Sequence, residues 1–128
     1  MTSATEMWAI PERMTNVARD PDLSLLADRT CLLELFLCEM DGSPASISIL
    51  FDGVESHRRT SSRSVPREVN AASRGKIVKI ENSNWLDEVM RARSDALPED
   101  EQLNHLAISL VGGPCFEFIC TGFEVRGR

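Results

Sequence analysis

Apolar residues recur with a period of two in the second quarter of the chain. In "TCLLELFLCEM" the leucines are dense enough for a helix by propensity. The turn signal "DGSP" follows at once, however, and "ASISILF" then alternates with Ile47, Ile49 and Phe51 on one face. Two strands joined by a turn fit this pattern better than a helix. Asp52-Gly53 marks a bulge or second turn, and "VESHRRT" continues as an edge strand. The same period returns in "HLAISLVGGPCFEFICTGFEV". With an odd loop at Gly112-Gly113-Pro114, Val111 faces Cys115, and Leu110, Ile108 and Leu106 lie opposite Phe116, Phe118 and Cys120. The ribbon then has one apolar face and a more polar one carrying His105, Ser109, Glu117 and Thr121. A slip of one residue would exchange the faces.

Between these ribbons the period changes. "NSNWLDEVMRARSDAL" predicts a helix over residues 84–97, with Ser83 or Asn84 as its cap and Asp87 and Arg91 paired one turn apart. Trp85, Val89 and Ala92 form its core-facing stripe. Residues 66–73 predict a short helix ending before Gly75. "KIVKI" predicts a strand whose Ile77 and Ile80 cannot share a face, so a bulge or half-buried placement is expected. The Ser/Arg-rich stretch 60–66 and "PEDE" at 98–101 predict loops. At the start, Met14, Val17 and Ala18 with Pro11 in a first turn suggest a helix over residues 6–19, so residues 1–20 are expected to be an N-terminal helix or arm. The order is that of a single α+β domain over residues 1–128. Its mostly antiparallel sheet is packed on one face by the helix at 84–97, and a C-terminal hairpin spans 103–125.

The four cysteines change little. Cys115 and Cys120 are five positions apart on a strand, so they point to opposite faces and are separated by roughly 17 Å. Cys31 and Cys38, seven apart, also face opposite ways, and no CxxC or HxxxH spacing occurs. All four read as reduced thiols packed as small apolar residues, and neither metal nor cofactor is expected. A chain of 128 residues buries roughly two-thirds of its unfolded surface in one core and needs no staples. "MTSATEMWAIPERM" lacks a basic leader followed by an apolar run, and no apolar stretch approaches the ~20 residues of a spanning helix. A cytoplasmic location without a membrane role is the expectation.

Charge divides the molecule. The net charge is −6, yet residues 57–80 hold seven of the fourteen basic side chains against one acid, Glu68, leaving −12 on the remainder. Arginine forks match carboxylate and phosphate, so Arg58, Arg59, Arg63 and Arg67 are the candidate partner-binding residues. Nucleic acid is disfavoured as the partner, because no aromatic residue lies between Phe51 and Trp85 for bases to stack on and the overall charge is acidic.

Two stretches, "GKIVKIENSNWLDEV" and "LNHLAISLVGGPCFEFICTGFEV", resemble a loose set of small, uncharacterised bacterial α+β proteins. The resemblance rests on Asn82, Ser83, Trp85, Leu86, His105, Ile108, Cys115, Glu117 and Ile119. Similar small proteins are often encoded beside toxins and act as immunity proteins, so the resemblance implies a partner-binding role and carries over no catalytic residue. The leading reading is a non-enzymatic protein-binding module, immunity-like in kind. The alternative is a small-ligand binder or an enzyme using His57, His105 or Cys115 in a cleft, although no GxSxG, Cys-centred or P-loop signature supports it. A third is a homodimer joined through an exposed sheet edge.

Overall fold

The computed structural model describes residues 3–14, 16–26, 29–93 and 102–127. It consists mostly of antiparallel strands with two short helices, an α+β arrangement. The strands are β1 (Ser3–Ala9), β2 (Asn16–Leu26), β3 (Thr30–Cys38), β4 (Pro44–Asp52), β5 (Ser56–Thr60), β6 (Lys76–Glu81), β7 (Asn104–Ser109), β8 (Cys115–Cys120) and β9 (Gly122–Gly127). The helices are α1 (Arg67–Ser73) and α2 (Asn84–Ala92). They build two sheets, a five-stranded one in the order β1-β6-β7-β8-β5 and a four-stranded one in the order β2-β3-β4-β9.

The alternation in β3 and β4 positions the core. Cys31, Leu33, Leu35 and Leu37 of β3 and Ile47, Ile49 and Phe51 of β4 are buried, while the residues between them are exposed or half-buried. This row meets Ile77, Leu106, Ile108, Phe116, Phe118 and Cys120 of the five-stranded sheet in one continuous cluster. Phe51 stacks on Phe118 across the gap, with centroids 3.9 Å apart and planes 15° from parallel.

The apolar face of the C-terminal ribbon thus packs on a second sheet. The helices take the ribbon's other face, where α1 lies over β6 and β7 and α2 lies over β7. No residue of α2 is buried; Trp85 and Val89 are half-buried and Ala92 is exposed. The expected core-facing stripe is therefore corrected to a shallow surface contact. The physical reason is area, since two leucine- and isoleucine-bearing strands cover the ribbon's apolar row more fully than a nine-residue helix. The helix expected over 84–97 is corrected to Asn84–Ala92, since Arg93 is already extended with ψ 134°, and residues 94–97 and the "PEDE" loop lie outside the described residues. Among those residues, no helix is long and apolar enough to cross a membrane.

The N-terminal helix expectation is also corrected. Residues 3–9 form an outer strand on β6, and β2 pairs with β3. Between them Glu12–Met14 make a single 3-10 turn, closed by the Met14 amide on the Pro11 carbonyl at 2.9 Å. Met14 is buried, but Val17 and Ala18, its supposed helix-face partners, are exposed. Sheet pairing supplies backbone partners that an isolated helix of this length would struggle to keep in water. "KIVKI" resolves differently from a bulge on its own strand. β6 is buried on both sides, with Ile77 toward the second sheet and Val78 and Ile80 toward α1; the irregularity lies in β1, between Glu6 and Trp8.

The chain passes between the sheets twice at one corner. β4 runs into β5 through Gly53 and Val54, and β8 runs into β9 through Thr121. The Thr121 amide and hydroxyl both donate to the Asp52 carbonyl, each at 2.9 Å, and the Glu55 amide donates to the Ile119 carbonyl at 2.8 Å. Gly53 has φ +61°, and a Cβ there would sit 2.5 Å from Thr121 Oγ1. Gly53→Ala combines left-handed backbone with a clash against a branched, hydrogen-bonded side chain, so a loss of about 1–3 kcal/mol is expected. Urea unfolding of the variant beside the parent checks it.

Candidate functional site

The polar face of the ribbon becomes a site through strand order. β7 and β8 pair with Leu106 opposite Phe118, Ala107 opposite Glu117 and Ser109 opposite Cys115. This register differs by two residues from the sequence expectation, because Leu110–Pro114 all belong to the turn; the Gly113 amide closes it on the Leu110 carbonyl at 3.0 Å. An even shift preserves the faces. Glu117 therefore lies on the helix side, diagonal to His105 rather than opposite Ser109. β5 flanks β8 with Arg58 directly opposite Glu117. On the far side of β7 stands β6, whose end delivers the chain to Asn82, Ser83 and α2. Asn82 makes the bend with φ +55°, a left-handed conformation that asparagine tolerates better than most residues.

These placements converge four side chains. Ser83 Oγ and His105 Nδ1 are 2.7 Å apart, and His105 Nε2 lies 2.8 Å from Glu117 Oε1. Arg58 grips the same carboxylate with two donors, Nε at 2.8 Å from Oε2 and Nη2 at 3.2 Å from Oε1. Ser83, His105 and Glu117 retain 7%, 5% and 4% of their exposure, whereas the Arg58 side chain is 47% exposed. Trp85 closes the group. Its ring meets His105 edge-on at 5.1 Å and lies beneath the Arg58 guanidinium at 4.1 Å.

Hydrogen-bond inventory fixes one proton: ionised Glu117 accepts only, so His105 donates to it from Nε2. Nδ1 accepts the Ser83 hydroxyl proton when the ring is neutral and donates to Ser83 Oγ when the ring is protonated. Burial alone would raise the Glu117 carboxyl, but the bonds from His105 and Arg58 and their positive charge outweigh it and bring it down to about 2. Ser83 also caps α2, its Oγ accepting the Leu86 amide at 3.0 Å. Among the described residues, no buried side-chain nitrogen or oxygen lacks a partner.

A cleft of about 200 Å³ opens here, between Pro66 and Val69 on one side and Asn82, Asn84 and Trp85 on the other, with Ser83, His105, Glu117, Arg58 and Ile80 in its lining. A larger groove of about 360 Å³ runs along the other sheet past Ala18, Phe36 and Ala45, where Arg19 stacks over Phe36 at 3.8 Å. Its lining is mainly apolar and carries no comparable set of polar groups.

The three candidates His57, His105 and Cys115 do not meet. His57 is exposed on β5 and faces Phe118 on the inter-sheet side, 6.5 Å between ring centroids. Cys115 packs with Val69, Val78 and Ala107, and burial pushes its thiol up to about 11. Cys120 lies in the inter-sheet core, pushed up to about 12 by burial. Neither sulfur is a thiolate at neutral pH. Of the arginine set, Arg58 is committed to Glu117 and Trp85. Arg59 points to the opposite face of β5, Arg63 lies in the following loop and Arg67 opens α1; all three are exposed and make no ion pair among the described residues. Ser83 was foreseen as a helix cap but not as the partner of His105. The signal available was a capping hydroxyl and a histidine on a polar strand face, without the strand order that unites them.

Comparison of the chain with protein-family models, with curated proteins and with solved structures finds no match.

Proposed function

We propose that the protein is a protein-binding module that docks an acidic partner along β5 and the segment after it, through Arg59, Arg63 and Arg67, in the manner of an immunity protein. The observation carrying this reading is the uncommitted state of these three guanidinium groups beside an open strand edge. Among the described residues β5 is the last strand of its sheet and pairs only with β8. An outer edge of this kind can accept an added strand, a recurring mode of recognition. Exposed cations with no internal partner retain their full charge for an incoming carboxylate, and the acidic remainder of the molecule turns this face toward the partner.

The test is association with the product of the neighbouring reading frame, co-expressed with the parent chain and with the Arg59→Glu, Arg63→Glu, Arg67→Glu triple variant. Co-purification with the parent is expected, together with an association rate about tenfold or more slower for the variant and steep salt dependence in the parent. All three residues are exposed, so the melting temperature should hold. An unchanged association rate, or no co-purification with the parent, would refute the reading.

A further inference from the structure

The geometry points to a second capability, independent of the arginine surface: the cleft at the start of α2 transfers short acyl groups from esters through Ser83 as nucleophile and His105 as base, with Glu117 positioning the base. Nucleophile, base and orienting carboxylate are joined in sequence at 2.7 and 2.8 Å, which is hydrogen-bond reach for such a relay. The ring is used in the reverse sense from the familiar serine triad, Nδ1 toward the hydroxyl and Nε2 toward the carboxylate. In the neutral ring the tautomer is nonetheless the required one, because Glu117 holds the proton on Nε2 and leaves Nδ1 free to accept.

The capping role of Ser83 does not exclude attack. A hydroxyl carries one proton and two lone pairs. The proton goes to His105 and one pair to the Leu86 amide, leaving the second pair for a carbonyl carbon in the cleft that Ser83 lines. Beyond the serine, the amides of Asn84 and Trp85 begin α2 and meet no acceptor among the described residues. Both residues line the same cleft, so in this proposal their amides are the donors offered to the developing oxyanion. Strand, tight bend, serine and helix follow one another here in the order of a nucleophile elbow, but the left-handed residue is Asn82, and Ser83 itself has extended backbone.

The steps balance without a cofactor. Ser83 Oγ bonds to the ester carbonyl carbon as its proton passes to His105 Nδ1, and the carbonyl electron pair moves onto oxygen, facing the Asn84 and Trp85 amides. Return of that pair breaks the bond to the alcohol oxygen, and the leaving alcohol takes the proton from Nδ1. Water then attacks the acyl-serine with the same base, releasing a carboxylic acid and restoring the hydroxyl. Glu117 stays ionised throughout and stabilises the transient imidazolium. A volume of about 200 Å³ lies below the usual range for drug-sized ligands, so the acyl group is short.

The probe is p-nitrophenyl acetate with the purified full chain, acid quench and peptide mapping. The expected result is a burst of nitrophenolate and one acetyl group on Ser83, with burst formation at least about 100-fold slower in His105→Gln and absent in Ser83→Ala. Background acylation is easily recognised, because the chain has only two lysines, Lys76 and Lys79. Acetyl found only on lysine or the amino terminus overturns the inference, as does a Ser83 adduct that forms equally fast in a folded His105→Gln. Should either variant fail to melt cooperatively, mapping of the parent chain alone decides. None of these readouts involves Arg59, Arg63 or Arg67, so failure here and failure of the docking proposal are distinguishable.

Discussion

Phe118→Ala is expected to destabilise the protein by about 3–5 kcal/mol, with a midpoint shift in urea to match. Phe118 is fully buried, stands between Leu106 of β7 and His57 of β5, and stacks on Phe51 of the opposite sheet. Truncation removes the transfer free energy of the ring and leaves a cavity on the inter-sheet plane. Backbone hydrogen bonds on both flanks of β8 restrain collapse into that cavity. An aromatic stack adds about 0.5–1.5 kcal/mol beyond area, so Phe118→Leu should recover most of the loss but not all. A loss below about 1 kcal/mol for the alanine variant would mean that the two sheets do not depend on this contact.

Glu117→Gln is expected to cost about 3 kcal/mol at neutral pH, a gap that closes on acidification. The carboxyl titrates near 4.3 when unfolded and is brought down to about 2 in the fold, where the bonds from His105 and Arg58 outweigh the opposing effect of burial. A depressed folded value means that the contribution is complete above the unfolded value and is lost as pH falls through the folded one. The parent should therefore lose about 3 kcal/mol from this group between about pH 5 and pH 2, and the glutamine variant should not. Parallel stability curves for the two proteins over that window would show that Glu117 contributes no charge-dependent stabilisation. Any general acid sensitivity from other carboxylates cancels in the difference.

The fold was legible where the pattern was local. The alternation of β3 and β4, the turn at Asp41-Gly42, the outer position of β5 and the two faces of the C-terminal ribbon all follow from a period of two and a few turn residues. The number of sheets was not legible. The apolar row of the ribbon had to be covered, and nothing in the sequence says whether a helix or a second sheet covers it. At the N-terminus, Met14, Val17 and Ala18 are as compatible with a helical stripe as with a turn and a strand. The pairing of β2 with β3, and of β1 with β6, a strand some seventy positions away, decided between them. For the site, His105 and Glu117 were correctly assigned to one face. Their union with Ser83 depends on β6 lying beside β7, a long-range adjacency that no local pattern encodes. The arginine cluster likewise looked like one patch in sequence, whereas β5 splits it by alternation, with Arg58 on one side and Arg59 on the other.

The paired crossings at Asp52–Val54 and Ile119–Thr121 carry a mechanical consequence. Each sheet continues into the other at the same corner, and the crossings are bonded to one another there, so separating the layers at this corner breaks the bonds of both crossings together. The amide protons of Glu55 and Thr121 are therefore expected to exchange in step with one another.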